Sequence, residues 1–255
     1  MMKKVDVIVI GAGSRGTGYG DFIAAHSRAG RVVGVAEPRD FFRDAMARKH
    51  RIPAENIARD WSEIAARKKF ADAVIIATPD AVHVEPAIAF ARRGYDILLE
   101  KPLAPSEAEC RKLAKEIRRA GVIFAVCHVL RYTDYTKKMK ALLDGGAIGD
   151  VVNIQHLEPV GFWHQAHSFV RGNWRNERES SPMLLAKSCH DLDWIRFVMG
   201  QRCEKISSFG TLKHFRAAEK PKGAGERCVD CKIEARCPYS AKKIYLGMLA
   251  KGRTG

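Results

Sequence analysis

The residues whose type and spacing say most about chemistry come early. Gly11-Ala-Gly13-Ser14-Arg15-Gly16 is G-x-G-x-x-G, set directly after an apolar run and before a helical pattern. That context is what a dinucleotide-binding loop requires. Gly11 permits a tight turn, Gly13 lets the backbone approach a pyrophosphate, and Gly16 lets the helix pack closely on the strand. Ser14 and Arg15 then begin a helix whose free N–H groups and partial positive charge face an anion. An acid is expected about 20 positions further, at the end of the next strand, to bind an adenosine ribose. Glu37 stands there. Arg39, two residues on, would instead hold a 2′-phosphate, so the cofactor is read as NAD or NADP.

Three other groups of residues carry chemical potential. Glu100-Lys101-Pro102 closes a strand-like run, Asp96-Ile-Leu-Leu99. In an open parallel sheet ligands bind beyond the carboxyl ends of strands, where a lysine serves as proton donor or anchor for a substrate hydroxyl. Residues 161–181 form a long polar and aromatic stretch holding Trp163, His164, His167, Phe169, Arg171, Trp174 and Arg175. Rings that stack on apolar sugar faces, with histidines and arginines for the hydroxyls, suit a carbohydrate site; a packed structural loop is the other reading. Cys228-x-x-Cys231 with Cys237 has zinc-knuckle spacing. A structural zinc site takes four ligands, so Cys203 or His214 would have to complete it. Reduced thiols are the expectation and structural zinc the alternative.

The elements that must position these groups change character midway. Val5-Asp-Val-Ile-Val-Ile10, Arg31-Val-Val-Gly-Val-Ala36, Ala73-Val-Ile-Ile-Ala77, residues 96–99 and residues 122–126 read as short apolar strands. Helical patterns lie between them. The clearest covers residues 106–120, opening on Ser106 with Glu109 at capping-box spacing. Apolar strands alternating with helices predict a parallel sheet covered on both faces. After residue 130 a helix over 133–143, a partly alternating strand over 151–158, a helix over 190–199 and a strand over 205–209 are expected. The predicted fold class is therefore α/β, a Rossmann domain (1–128) followed by an incomplete α+β domain (129–255).

Several motifs together resemble the Gfo/Idh/MocA oxidoreductases, which include glucose-fructose oxidoreductase and inositol dehydrogenase. The glycine loop, Thr78-Pro79-x-x-x-His83, Glu100-Lys101-Pro102, Arg131-Tyr132, Trp174-Arg175 and His190-Asp-Leu-Asp193 occur in that family's order over roughly the first 200 residues. The resemblance implies a second domain with an open-faced antiparallel sheet and hydride transfer between NAD(P) and a sugar or polyol carbon. It implies that Lys101 contacts the reacting hydroxyl and the cofactor and that His190 is the general acid/base, a role suited to an imidazole with an ordinary pKa of about 6.5. Thr78, Pro79, His83 and Glu100 would line the dinucleotide site, and Arg175 would sit near the nicotinamide or substrate; Trp163 and His167 of the aromatic stretch are further substrate candidates, and Lys187 is either a charge in the site or a surface residue. The chain departs from the pattern in two places. Ala186 stands where many members carry an aspartate four residues before the histidine, with Lys187 beside it. Ser180-Ser181-Pro182 replaces a triple glycine. The chain is also shorter than is usual in the family, which predicts an incomplete second domain with an exposed sheet edge.

Composition narrows the partners. The formal charge is +15, yet the 44 Lys and Arg residues form no block of the kind that marks nucleic-acid binding. The apolar runs are strand-sized, far below the ~20 residues of a membrane helix. The Met-Met-Lys-Lys start lacks the apolar stretch of a signal peptide. Seven cysteines, an odd number, of which Cys110, Cys127, Cys189 and Cys203 are scattered, fit buried thiols in a reducing compartment. The expectation is a cytoplasmic enzyme that takes a small sugar or polyol, binds neither nucleic acid nor membrane, and forms homo-oligomers through its second domain.

Overall fold

The computed structural model describes residues 3–250. Backbone contacts divide the chain into two units, Met1–His128 and Val129–Gly255.

The first unit is a six-stranded sheet in the order β3-β2-β1-β4-β5-β6, every pair parallel. Its elements run β1 (Val5–Ile10), α1 (Ser14–Ala25), β2 (Gly30–Ala36), α2 (Asp40–His50), β3 (Ile57–Ala58), α3 (Trp61–Ala65), β4 (Ala73–Ile76), α4 (Val84–Arg92), β5 (Asp96–Leu99), α5 (Glu107–Ala120) and β6 (Phe124–Val126). The strands are nearly all apolar because both faces are covered. Side chains alternate between the faces. Ile8 and Ile10 join the core built with Ile64 of α3, Phe90 of α4, and Leu113 and Ile117 of α5. Val9 joins the other, with Met46 and Ala47 of α2 and, packed against them, Ile23 of α1. Phe90 and Tyr95 meet edge to face, 5.4 Å apart, and both are fully buried. Burying an aromatic of this size contributes about 2–3 kcal/mol.

Helix ends follow their sequence signals. Ser106 caps α5 by accepting from Glu109 N, and Gly121 closes the helix in the left-handed region. Asp60 and Glu63 form a full capping box on α3. Helix α1 has Gly13 at its N-cap position, no side-chain cap and no acid in its first turn.

Register gives the sheet its functional edge. Ile10 pairs with Ala36 and Ile76, Ile76 with Leu99, and Leu99 with Val126. The residues that follow continue the ladder: Gly11 N donates to Ala36 O, Ala77 N to Ile10 O, Glu100 N to Ile76 O and Cys127 N to Leu99 O. The carboxyl ends of β1, β2, β4, β5 and β6 thus form one row. The strand order reverses between β1 and β4, the place where open α/β sheets bind ligands.

The second unit contains α6 (Asp134–Asp144), α7 (Phe162–His164) running into a π-helical Gln165–Arg171, α8 (Met183–Ala186), α9 (Cys189–Met199) and α10 (Ala241–Ala250). Two expectations fail here. The expected strands over 151–158 and 205–209 do not form, and among the described residues this unit holds no strand, so the antiparallel sheet is not present. An alternating pattern chooses a face, whereas a ladder also needs a neighbouring strand. Val152, Leu157 and Phe209 are left 93%, 84% and 96% exposed. The loop read over 161–181 is instead helical for much of its first half. Neither apolar core includes a residue of this unit. Its elements are joined by polar pairs. Arg131 grips Asp193 through two hydrogen bonds, of 2.7 and 2.5 Å. Trp194 Nε1 donates to Thr136 Oγ1 at 2.9 Å. Helix α10 meets the π-helical turn through His167 Nδ1 and Tyr245 Oη, 3.0 Å apart.

Candidate active site

In the first unit the glycine loop fits a dinucleotide on three observations. Gly11 sits at φ +87, and a Cβ there would lie 2.7 Å from Ala77 O, so the loop turns hard against the end of β4. A Cβ on Gly16 would lie 1.9 Å from Gly11 O, so the helix presses on the loop it follows. A Cβ on Gly13 would meet only the tip of Arg39, at 3.3 Å, so this face of the backbone is closed by nothing rigid. Together with the uncapped start of α1, this leaves backbone N–H groups turned toward an incoming anion.

Glu37 is only 2% exposed. Its Oε2 accepts from Ala12 N at 2.8 Å, and Arg39 donates to both of its oxygens, at 2.7 and 3.1 Å. Burial would raise the carboxyl's pKa, but the bonds from Arg39 and from the backbone outweigh it and hold the group below its ordinary range. The Arg39 guanidinium lies 4.2 Å from the centre of the Phe42 ring. The two residues proposed as alternatives for the ribose end are therefore one ion pair fastened to the glycine loop.

Glu100 is the hinge of a second cluster. It is buried and accepts from Tyr19 Oη at 2.6 Å, Arg15 Nε at 2.8 Å and Lys101 N at 3.1 Å. Burial alone would raise its pKa; the bonds from Tyr19 and Arg15, with the charges of Arg15 and Lys101, bring it below the usual carboxylate range. Burial, with hydrogen bonds to Cys127 and Glu100, drives the Tyr19 phenol well above its ordinary value. Burial likewise pushes the Cys127 thiol up to about 11. Arg15 and Tyr19, one helical turn apart on α1, thus tie the glycine loop to the turn that carries Lys101. Nothing in the sequence signals Tyr19's part, and Cys127 reads there only as a buried thiol, because nothing local joins positions 19, 100 and 127. Lys101 itself is half-buried, just past the end of β5, and its bond to Pro102 is cis.

His83 and Glu100 do not present their side chains as an exposed lining. His83 is fully buried, with Nδ1 2.8 Å from Pro102 O and Nε2 2.9 Å from Thr78 O. It clamps the turn after β4 to the turn after β5. Thr78 Oγ1 donates to Val82 O, and Pro79 is exposed.

In the second unit His190 lies in the first turn of α9, half-buried. Lys187, three residues before it, pairs with Glu158 at 2.5 Å. His156 Nε2 lies 2.7 Å from Asp191 Oδ1. The Lys187 hydrogen bond lowers the Glu158 pKa, against a smaller opposing effect of burial, and the charges of Lys187, His156 and His190 add to it. Trp163 is exposed and stacks on His164, with 5.4 Å between ring centres. His167 is engaged with Tyr245, and Arg175 pairs with Glu179 at 3.2 Å. The four expected substrate residues thus each have a different partner: Lys187 has Glu158, Trp163 has His164, His167 has Tyr245 and Arg175 has Glu179.

The three cysteines occupy neighbouring turns. Cys228 Sγ accepts from Ala241 N and Cys231 Sγ from Gly225 N, each at 3.4 Å, and Cys237 is half-buried. They do not gather as a triad of ligand atoms. Among the described residues the group that does, with its ligand atoms all within 4.8 Å of one another, is His156, Glu158 and Asp191. No described helix is long and apolar enough to cross a membrane.

A parallel sheet with a glycine-rich turn at its switch point, an uncapped helix behind it and an acid at the end of β2 defines a Rossmann dinucleotide-binding unit. The comparisons agree. Residues 5–128 match the family described as "Oxidoreductase family, NAD-binding Rossmann fold", and residues 136–229 match the GFO/IDH/MocA C-terminal domain. The chain belongs to the Gfo/Idh/MocA oxidoreductase family. It is 30% identical over 209 residues to the 2,7-anhydro-N-acetylneuraminate hydratase of Mediterraneibacter gnavus, covering 82% of this chain and 53% of that protein. It is 26% identical to the scyllo-inositol 2-dehydrogenase (NAD(+)) of Bacillus subtilis, covering 83% and 59%. Among solved structures, the scyllo-inositol dehydrogenase of Lactobacillus casei with bound NAD(H) and scyllo-inositol superposes with a TM-score of 0.66 at 20% identity, over 78% of this chain and 57% of that one. The chain thus spans a little over half the length of these relatives.

Proposed function

We propose that this chain binds NAD or NADP through its first unit and takes part in hydride transfer to or from a hydroxyl-bearing carbon of a sugar or polyol. The observation that carries the reading is the convergence at the sheet's switch point. There the open backbone at Gly13, the uncapped α1 and the Glu37–Arg39 pair offer sites for a pyrophosphate and an adenosine ribose. A bound nicotinamide supplies the hydride acceptor or donor. In this reading Lys101 holds the substrate hydroxyl and its proton, oriented through the Glu100 anchor, and His190 is the acid/base that exchanges that proton with solvent. Trp163, His167, Arg175 and Lys187 are proposed for substrate recognition. Dehydrogenases of inositol among the relatives support the polyol class. The apolar side chains exposed at Val152, Leu157 and Phe209 support assembly into a homo-oligomer. A cytoplasmic location goes with this reading.

A second reading, a dinucleotide-binding sensor without turnover, is favoured by one observation. Ala186 stands four residues before His190, where the family resemblance places an aspartate, and Lys187 beside it is paired with Glu158. Titration with NADH and NADPH, read by energy transfer from tryptophan, followed by a polyol screen, separates the two. Lys101→Ala is expected to cut turnover at least ~100-fold, the scale of a lost proton-transfer group, and to leave the cofactor Kd within a few-fold. Equal loss of turnover and affinity would refute the role given to Lys101. Saturable binding with no turnover on any polyol would establish the sensor.

A further inference from the structure

We infer that His156, Glu158 and Asp191 form a binding site for a divalent first-row cation, a role the proposed hydride transfer does not require. Ligand atoms of the three lie within 4.8 Å of one another. One imidazole nitrogen and two carboxylates make a donor set of intermediate hardness, suited to Mn²⁺, Fe²⁺ or Zn²⁺.

A second observation is independent of that proximity. Asp191 is 6% exposed, and its Oδ2 is buried with no hydrogen-bond partner. A carboxylate oxygen left unsatisfied in the interior is costly, and the structure offers it only the His156 contact on Oδ1. A cation at the cluster satisfies Oδ2. The other two ligands are at the surface, so the site has a buried anchor and an open approach. The Trp194 ring lies 5.2 Å from the His156 ring and limits how the imidazole turns. Helix α9 fixes Asp191 in its first turn.

Lys187 sets the affinity. Its ammonium pairs with Glu158 at 2.5 Å and so competes with an ion for that carboxylate. The site therefore carries two acidic groups and one resident positive charge, and removing that charge should strengthen cation binding.

Mn²⁺ is the probe that tests this. Thiolates favour softer ions than Mn²⁺, so Cys228, Cys231 and Cys237 do not compete for it. Titration of the chain with MnCl₂, with free ion read by electron paramagnetic resonance, is expected to show one saturable site per chain. Asp191→Asn should weaken it at least tenfold, and His156→Gln by a similar factor. Lys187→Met should tighten it. Far-UV circular dichroism checks that each variant is folded. Absence of saturable Mn²⁺ binding by the folded wild-type chain would overturn the site. So would binding that folded Asp191→Asn leaves unchanged, or binding that Lys187→Met weakens.

Discussion

Gly16→Ala isolates the close packing on which the dinucleotide loop depends. The added Cβ would stand 1.9 Å from Gly11 O, 3.0 Å from Gly11 C and 3.1 Å from Val9 Cγ1. A carbon and a carbonyl oxygen normally approach no closer than about 3.3 Å, so α1 must retreat from β1 by more than an ångström. The obstacle is backbone and cannot rotate away. Gly11 N is bonded to Ala36 O at 2.8 Å, and Gly11 is held at φ +87. Overpacking of this kind costs about 1–3 kcal/mol, and the rigid collider places this case at the top of that range. Gly18→Ala, two residues on in the same helix, is the control. Its Cβ would meet nothing within 4 Å, so only helix propensity acts, a gain of up to about 1 kcal/mol. Thermal unfolding followed by circular dichroism should show Gly16→Ala lowered by on the order of 10 °C and Gly18→Ala raised by a few degrees. Gly13→Ala, whose Cβ meets only the flexible Arg39 tip at 3.3 Å, should unfold near the wild type yet bind NADH and NADPH poorly. If Gly16→Ala and Gly18→Ala shift the midpoint equally and in the same direction, helix propensity governs α1 and the loop packing argued here is wrong.

Two further outcomes follow from the carboxylates. Glu100 is held below its ordinary pKa in the folded chain, so it contributes stability that is present above the unfolded-state value, about 4.3, and is lost as pH falls through the folded value. Glu100→Gln should cost about 2 kcal/mol at pH 7 and flatten the loss of stability below pH 4; an acid limb as steep as the wild type's in urea titrations would exclude Glu100 as its source. Arg39→Ala releases Glu37 and removes a cation from beside Gly13. NADPH affinity should fall at least tenfold while NADH affinity holds or rises, and an equal change in both by fluorescence titration would show that the pair does not discriminate at the 2′ position.

The first unit was readable because each element announces itself locally. Apolar runs at 7–10, 73–76 and 97–99 fit strands buried on both faces, and the Ser106–Glu109 cap and Gly121 mark the two ends of α5. Parallel pairing then brings Gly11, Glu37, Ala77 and Glu100 to one edge with no further information. What escaped notice has no local signal. Strand β3 is two residues, too short to show a period. The Tyr19–Glu100 bond joins positions 81 residues apart. His83, read as lining, is a clamp because both ring nitrogens face backbone carbonyls of neighbouring turns.

The second unit shows why periodicity alone misleads. The alternation over residues 151–158 is partial, and alternation in any case specifies only which side chains share a face; it says nothing about whether another strand lies alongside. The informative signals there were charged residues far apart in sequence. Arg131 and Asp193, 62 positions apart and both within motifs, meet in a bidentate pair that joins the segment before α6 to α9. Lys187 and Glu158 meet across 29 positions. The family resemblance places an aspartate four residues before the histidine. Here Ala186 is buried at that place, and the nearby charges come from Glu158, on a segment without regular structure, and from Lys187. A carboxylate four residues from the histidine in the chain is placed by the local backbone, whereas one held by a lysine is oriented only while that ion pair lasts. The influence of Glu158 around His190 should therefore depend on Lys187, and substituting either residue should disturb the pH profile of any turnover in the same way.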